Sequence, residues 1–347
     1  MRPTKAVPTP SASAPPRVRF ALVGLGRLAE HTLLPAFARV RNAALTALVS
    51  HDRKQLDRLG RKHGVADRYL PSEFINCLQG GGIDAVYIAT PNDSHCEYAI
   101  LAANAYKHVL CEKPLALTVE EGERMQAAAR RRHVKFMTAY RLHLEAATRS
   151  TLQVAHSGEI GEVRMVSSSF GFILPPRSTS RLKAAHGGGA LYDIGVYCIN
   201  AARHVFAAEP TEVYATMPPP HNPLFREVDE ATTAVLTFPG GRIATFTVNL
   251  NIGFTGRLEI YGTKGNVMLD PSYYFTIPLR QTVTVGRKSR VRTFPLRDQF
   301  ADLIEHFADC VLHDRDPGSG AAEGIADLRV VEAIRKSAKL NRPVKLR

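Results

Sequence analysis

The sequence predicts a doubly wound α/β domain with a mainly parallel sheet, followed by an α+β domain built on antiparallel strands. Three observations predict it. Short apolar strands alternate with helical patterns across residues 17–140. A glycine-rich turn joins the first strand to the first helix. From about residue 160 strand follows strand, with few helices between them. A chain of 347 residues is long enough for two such domains and a sizeable core. The expected boundaries are an arm over 1–16, the α/β domain over 17–140 and the α+β domain over 141–347.

Composition excludes several classes. No apolar run approaches the length of a membrane span. The arm is rich in Pro, Ala and Ser and lacks the apolar core of a secretory signal, so it reads as disordered or loosely docked. Five scattered cysteines with no CxxC predict a reduced, cytoplasmic protein without structural disulfides or zinc. The net charge of +13 invites a nucleic-acid reading. The basic residues are dispersed, however, and clusters such as Arg130-Arg131-Arg132 carry no interleaved aromatics, so no nucleic-acid partner is expected. The positive field favours an anionic ligand such as a phosphorylated cofactor.

The first strand, residues 18–23, runs directly into Gly24-Leu25-Gly26-Arg27-Leu28-Ala29, and a helical pattern continues to about Arg41. This is a GxGxxA turn between strand and helix, the setting in which it binds a dinucleotide. Gly24 permits the turn, Gly26 admits a pyrophosphate close to the backbone, and Ala29 allows tight helix–strand packing. The phosphates would meet unpaired N–H groups at the helix N-terminus. A second strand, Leu45 to Val49, ends at Ser50-His51-Asp52-Arg53-Lys54. An acid at this tip would bind the ribose 2′-hydroxyl of NAD. Ser50 stands there instead. A serine hydroxyl with Lys54, Arg53 and His51 suits a 2′-phosphate, so NADP is favoured and NAD is the alternative. Asp52 is the rival ribose ligand, although it sits better as a helix N-cap.

The strand Asp84–Ala89 leads into Thr90-Pro91-Asn92, and Ser94-His95-Cys96-Glu97 reads as a capping box. Loops after strand C-termini line the ligand crevice, which places Pro91, Asn92 and His95 to touch a cofactor. For His95 the alternative is a solvated histidine at a helix start. His108–Cys111 then leads into Glu112-Lys113-Pro114, and Thr118 with Glu121 caps another helix. The strand Val134–Thr138 ends in Ala139-Tyr140-Arg141-Leu142-His143. Lys113, Tyr140, Arg141 and His143 therefore lie just beyond strand ends, at one edge of the sheet.

Strands are expected at Val163–Phe170, Glu212–Thr216, Thr232–Phe238, Ile243–Leu250, Leu258–Tyr261 and Val267–Leu269, and within Thr282–Val285 and Val291–Phe294. Helices are expected at about 297–312 and 320–339. One helix interrupts the strands. Gly187-Gly188-Gly189 precedes a helical pattern from Leu191 to about Phe206. Its apolar face opposes Asp193, Tyr197 and Asn200. That polar stripe is either a solvated face or the wall of a pocket. The triple glycine favours the pocket, because glycine lets backbone run close to a ligand.

In this order and at these spacings, the GxGxxA turn, Thr90-Pro91-Asn92 with His95, Glu112-Lys113-Pro114, Tyr140-Arg141, and the triple glycine with Asp193–Tyr197 resemble the glucose–fructose oxidoreductase/inositol dehydrogenase (Gfo/Idh/MocA) family. The resemblance runs from about Val18 to the C-terminus. It implies a Rossmann domain followed by a large, open, mostly antiparallel sheet. One face of that sheet would carry helices and the other would pack against another subunit of a homodimer or homotetramer. It makes Lys113 the central active-site residue, with a cis bond before Pro114, and puts Glu112 and Arg141 near the cofactor. It also matches Arg181 to an arginine near the nucleotide. Many members carry Asp-x-Gly-x-His-x-x-Asp on the pocket helix. Here Tyr197 replaces the histidine and Asn200 the second aspartate. The departure resembles the glucose–fructose oxidoreductase branch, where a tyrosine is the proposed acid/base, and argues against an inositol dehydrogenase proper. The arm is shorter than that branch's nucleotide-retaining arm, which implies at most partial retention.

The implied activity is NADP(H)-linked hydride transfer to or from a sugar or related polyol/carbonyl. Catalysis would rest on Lys113, Tyr197 and Asp193, since an ammonium beside a phenol favours its phenolate. Tyr140, Arg141 and His143 would offer polar contacts to a polyhydroxylated substrate. An NAD-linked dehydrogenase of the same fold and a non-catalytic dinucleotide-binding regulator are the alternatives.

Overall fold

The computed structural model describes residues 16–175 and 180–346. Except for Pro16, the expected arm lies outside the described residues. The first sheet contains β1 (Val18–Val23), β2 (Ala43–Val49), β3 (Asp67–Tyr69), β4 (Ala85–Ile88), β5 (His108–Cys111) and β6 (Phe136–Thr138). All pair in parallel, in the order β3-β2-β1-β4-β5-β6. Helices cover both faces, so β4 is buried at every position, and its apolar run shows no alternation. The strand order reverses between β1 and β4, which opens a crevice above their C-terminal ends.

The first helix differs from expectation. It opens with a π-turn, Ala29–Leu33, and its α-helical part ends at Phe37 rather than near Arg41. β2 begins at Ala43, two residues earlier than expected, and the chain needs the intervening residues to turn back into the sheet. β3 was not expected. Three residues at a polar sheet edge, Asp67-Arg68-Tyr69, carry too little hydropathy signal.

The second sheet contains β7 (Val163–Gly171), β8 (Glu212–Thr216), β9 (Ala231–Phe238), β10 (Arg242–Asn249), β11 (Thr255–Gly262), β12 (Gly265–Leu269), β13 (Leu279–Val285), β14 (Lys288–Phe294) and β15 (Val344–Lys345). Their order is β14-β13-β12-β11-β7-β10-β9-β8-β15, antiparallel throughout except for the β7–β10 pair. Each expected strand is present. The helices Ala146–His156, Val196–Phe206 and Ala321–Leu340 pack on one face. On the other, Met165 and its β-partner Ile243 are exposed, as is Tyr214 farther along the same face.

The helix Gln299–Leu312 returns to the first domain. Phe300, Leu303, Ile304, Phe307 and Ala308 join Phe20, Phe37 and Tyr87 in one buried cluster. The last helix spans both domains: Ile325 packs close to Gly122 of the helix Val119–Arg131, while Ser337 Oγ accepts a hydrogen bond from the backbone N–H of Ala215 on β8. The C-terminal chain thus clamps the sheet edge against the pocket domain.

Candidate active site

The site is assembled above the C-terminal ends of β1, β4, β5 and β6. At the first turn Gly24 has φ +92°, and a Cβ there would lie 2.6 Å from the carbonyl oxygen of Ala89. Only glycine fits. A Cβ on Gly26, by contrast, would meet nothing within 4 Å, so space for a ligand lies against that backbone. Ala29 is fully buried. Ser50 is buried at the tip of β2, and its Oγ accepts from the N–H of Asp52 at 3.3 Å. Asp52 is the N-cap of the next helix, accepting from the N–H of Gln55 at 3.0 Å. Arg27, His51, Arg53 and Lys54 are exposed around this edge and form no ion pair among the described residues. The donor set and the open backbone cradle fit a phosphorylated dinucleotide.

The loop after β4 differs from expectation. Asn92 Nδ2 donates to the carbonyl of Gly187 at 2.9 Å and so ties this loop to the triple-glycine segment. Ser94 does not close a capping box, because its hydroxyl bonds Thr90 Oγ1 at 2.8 Å and the carbonyl of Pro91 at 2.9 Å. His95 is neither solvated nor exposed toward a ligand. It is fully buried, with Nδ1 3.0 Å from the carbonyl of Pro114 and Nε2 3.1 Å from that of Thr90. Burial pushes its pKa down, and the neutral ring donates to one of these oxygens. Its place is beneath the Lys113–Pro114 turn, joining that turn to the Asn92 loop. The Thr118 cap is present, accepting from the N–H of Glu121 at 3.2 Å.

The Lys113–Pro114 peptide is cis. Glu112 is buried, and Tyr87 Oη, from β4, donates to its Oε1 at 2.8 Å. Burial raises the Glu112 carboxyl pKa, against the pull of Lys113 and the Tyr87 hydrogen bond. Tyr87 escaped the sequence reading. The available signal was a tyrosine inside a fully buried parallel strand, where a phenol hydroxyl needs a partner.

Lys113 reaches across to the pocket helix. Its Nζ donates to the backbone carbonyl of Asp193 at 2.8 Å, lies 3.5 Å from Asp193 Oδ1, and stands 4.8 Å from the ring centroid of Tyr197. Arg181 Nη1 lies 3.4 Å from Asp193 Oδ2, within range of charge attraction but not aligned for hydrogen bonding. Asp193 Oδ2 is therefore buried without a hydrogen-bond donor among the described residues. Tyr197 is nearly buried, packed against Phe170 and Tyr273, and its hydroxyl has no hydrogen-bond partner among the described residues. An unsatisfied carboxylate oxygen and a free phenol beside an ammonium match the needs of a substrate hydroxyl.

The helix that carries these groups begins as a π-turn, Leu191–Gly195, and becomes α-helical over Val196–Phe206. Such turns insert one residue into the spiral and occur often at functional sites. Here the carbonyl of Asp193, within the turn, accepts from Lys113. Asp229 fixes the turn by accepting from the N–H of Leu191 at 2.8 Å and from Thr232 Oγ1 at 2.7 Å. The triple glycine serves protein packing: Gly189 has φ +102°, and a Cβ there would lie 2.0 Å from Asp229 Oδ1.

The polar stripe is a buried wall, and it divides. Asp193 and Tyr197 face Lys113. Asn200 instead accepts from His143 Nε2 at 2.8 Å and donates to Glu323 Oε1 at 2.7 Å and Asp327 Oδ2 at 3.0 Å. Arg203 Nη1 bonds the same two acids. Tyr140 stacks on His143, so both residues belong to this internal network rather than to the pocket surface. Arg141 is also interior: it is 3% exposed and its guanidinium bonds the carbonyl of Tyr273 and the side chain of Gln299.

A dinucleotide fold that brings an ammonium against a phenol and a carboxylate of a second, open-sheet domain is the arrangement of a two-domain oxidoreductase. Residues 18–140 match the family described as "Oxidoreductase family, NAD-binding Rossmann fold", and residues 148–268 match the "GFO/IDH/MocA C-terminal domain". D-xylose 1-dehydrogenase [NADP(+)] of Haloarcula marismortui is 30% identical over 336 residues, covering 95% of this chain and 93% of its own. Among solved structures, aldose-aldose oxidoreductase from Caulobacter crescentus complexed with glycerol has a TM-score of 0.90 and 34% identity, covering 95% of this chain and 100% of that one. A 3-ketoreductase from Actinomadura kijaniata in complex with NADP and TDP-benzene has a TM-score of 0.84 and 28% identity, covering 92% and 98%. The chain belongs to the GFO/IDH/MocA oxidoreductase family.

Proposed function

We propose that this chain is an NADP(H)-dependent enzyme that transfers hydride between the nicotinamide and a sugar or related polyol/carbonyl, with Lys113 and Tyr197 handling the proton. The observation that carries this reading is the contact of Lys113 Nζ with both Asp193 and the Tyr197 ring, beside a phenol with no hydrogen-bond partner among the described residues and a carboxylate oxygen that has only a charge contact with Arg181. The relatives agree: a xylose dehydrogenase that uses NADP and a ketoreductase with bound NADP.

The residues from Gly24 to Leu28 would hold the pyrophosphate against the helix N-terminus. Ser50 and Lys54, with Arg53 and His51, would receive the 2′-phosphate. Pro91, Asn92 and Glu112 would border the nicotinamide half. The nicotinamide supplies the hydride acceptor or donor. Everything else falls to side chains. When the substrate is oxidised, its hydroxyl gives a proton to Tyr197 Oη. Lys113, against the ring, stabilises the negative charge that makes the phenol a base. Asp193 fixes Lys113 and accepts a hydrogen bond from a neighbouring sugar hydroxyl through Oδ2. In reduction the proton returns by the same route.

A non-catalytic regulator would have no use for these three groups in contact. The five free, buried cysteines agree with a reducing, cytoplasmic setting. The uncovered sheet face, with Met165, Ile243 and Tyr214, would form the contact of a homodimer or homotetramer.

Turnover measured across aldoses, polyols and trans-dihydrodiols, with NADP and NAD, tests the reading. Lys113→Ala and Tyr197→Phe should each lower kcat by roughly 10²–10⁴, while the folded proteins still bind NADPH. Near wild-type turnover in either variant overturns the assignment. Nucleotide released from denatured protein identifies the cofactor.

A further inference from the structure

Arg141 has an environment that nucleotide binding does not explain. It follows β6 and is almost completely buried, yet it forms no ion pair among the described residues. Its Nη2 donates to the carbonyl of Tyr273 at 2.6 Å, and its Nη1 donates to Gln299 Oε1. The Gln299 amide is held in that orientation because its Nε2 donates to the carbonyl of Tyr274 at 3.0 Å. The Nε of Arg141 has no partner. Around this fork stand three aromatic rings: Tyr197 with its centroid 5.4 Å from Cζ, Phe275 at 5.0 Å and Phe300 at 5.8 Å. The elements involved are far apart in sequence. Gln299 opens the helix that returns to the first domain, Tyr273 lies between β12 and β13, and Tyr197 is on the pocket helix.

A buried cation without a carboxylate partner is costly unless its field is used. Carbonyl dipoles and ring faces offset part of that cost. Here the remaining field falls on the buried Glu112 carboxylate and on Tyr197, whose ring also carries Lys113 at 4.8 Å. Two fixed cations therefore lie against the Tyr197 ring. A rigid guanidinium, pinned at both terminal nitrogens, needs no reorganisation when charge develops on that phenol.

We propose that Arg141 is a positioning residue for proton transfer: it holds the Tyr197 ring and, with Lys113, stabilises its phenolate, rather than binding the nucleotide. The proposal rests on the reading of Tyr197 as the acid/base. The groups facing Tyr197 are Lys113 from the turn after β5, Arg141 from the end of β6, Phe170 from β7 and Tyr273 from the loop after β12. Tyr87, hydrogen-bonded to Glu112, lies close enough to feel charge on Tyr197. The carboxylates that compensate these cations are Asp193, bound to Lys113, and the buried Glu112, whose charged form both Lys113 and Arg141 favour.

The test compares Arg141→Met, Arg141→Lys and Gln299→Leu with wild type. It uses NADPH affinity by fluorescence titration and the pH profile of kcat/KM for sugar oxidation. Removing the charge should move the acid limb to higher pH and lower kcat on the order of 10–100-fold. NADPH affinity should stay within about threefold, the change expected when no contact to the ligand is lost. Arg141→Lys should restore much of the limb's position, and Gln299→Leu, which keeps the charge but frees the fork, should lower kcat with a smaller shift. A tenfold loss of NADPH affinity with an unmoved acid limb overturns the proposal. If Arg141→Met does not fold, Gln299→Leu decides by the same readouts, and an unmoved limb with wild-type kcat there refutes it. Tyr197→Phe separates the two readings. Full turnover there refutes the acid–base assignment itself, whereas loss of turnover there with an unmoved limb in the Arg141 variants refutes only the role of Arg141.

Discussion

Under the proposed function, Ser50 is the position at which cofactor preference would be set. The nearest acid, Asp52, has its carboxylate committed to the N–H of Gln55, so it does not oppose a 2′-phosphate as a free ribose ligand would. The exposed Arg27, Arg53 and Lys54 leave a positive rim with no internal neutralisation among the described residues. Ser50→Asp should therefore lower kcat/KM with NADP by roughly tenfold or more, since close like charges cost on the order of 1–2 kcal/mol, and should leave or improve the value with NAD. Kinetics with both nucleotides check this, and an unchanged ratio would remove Ser50 from the phosphate site. At this scale Lys113, Asp193 and Tyr197 were singled out by the resemblance of their motifs to the family pattern, and the structure brings Lys113 against the other two. His95, Arg141 and His143, expected to face a ligand, bond protein groups, since the three-dimensional partners of a polar residue decide what it faces.

The pocket helix is the element on which the site depends. Its extent was legible from the 3.6-residue period of Leu191, Ile194, Cys198 and Val205. The π-turn was not, because an inserted residue leaves no compositional mark. Asp229, which anchors the turn, has its carboxyl pushed up to about 6 by burial. Between its ordinary pKa of about 4 and its folded pKa near 6, the folded state binds more protons than the unfolded state. Stability contributed by the protonated form is thus full below that window and is lost as pH rises through it. The loss amounts to about 1–3 kcal/mol. Asp229→Asn keeps an acceptor for the Leu191 N–H and cannot titrate. Relative to wild type, the variant should gain stability as pH rises from about 4 to about 6. Urea midpoints across that range measure the gain, and parallel curves for the two proteins would refute it.

At the scale of the molecule, the second sheet buries one face under helices and leaves the other bare. Met165 and Ile243 are adjacent across β7 and β10 on that bare face and are about two-fifths exposed. Strands that alternate apolar-in with Thr, Ser and scattered large apolar residues out suit a self-complementary contact. Ile243→Glu would bury like charges across a two-fold interface. If the proposed subunit contact uses this face, the variant should have a lower mass than wild type in light scattering, with the fold retained. An unchanged mass would place the contact elsewhere.

The sequence by itself determined the division into a parallel and an antiparallel sheet and the tight turn after the first strand. These follow from local periodicity and from glycines that no other residue can replace, as at Gly24. Only the tertiary structure decided that His95 braces the lysine turn, that Tyr87 holds Glu112, that Asn200 joins a buried acid–arginine network, and that the helix Gln299–Leu312 returns to clamp Arg141 against Tyr197. The physical reason is the same in each case. A buried polar group must find its partner in space, and these partners lie from about 20 to more than 150 residues away along the chain, a separation that periodicity does not encode.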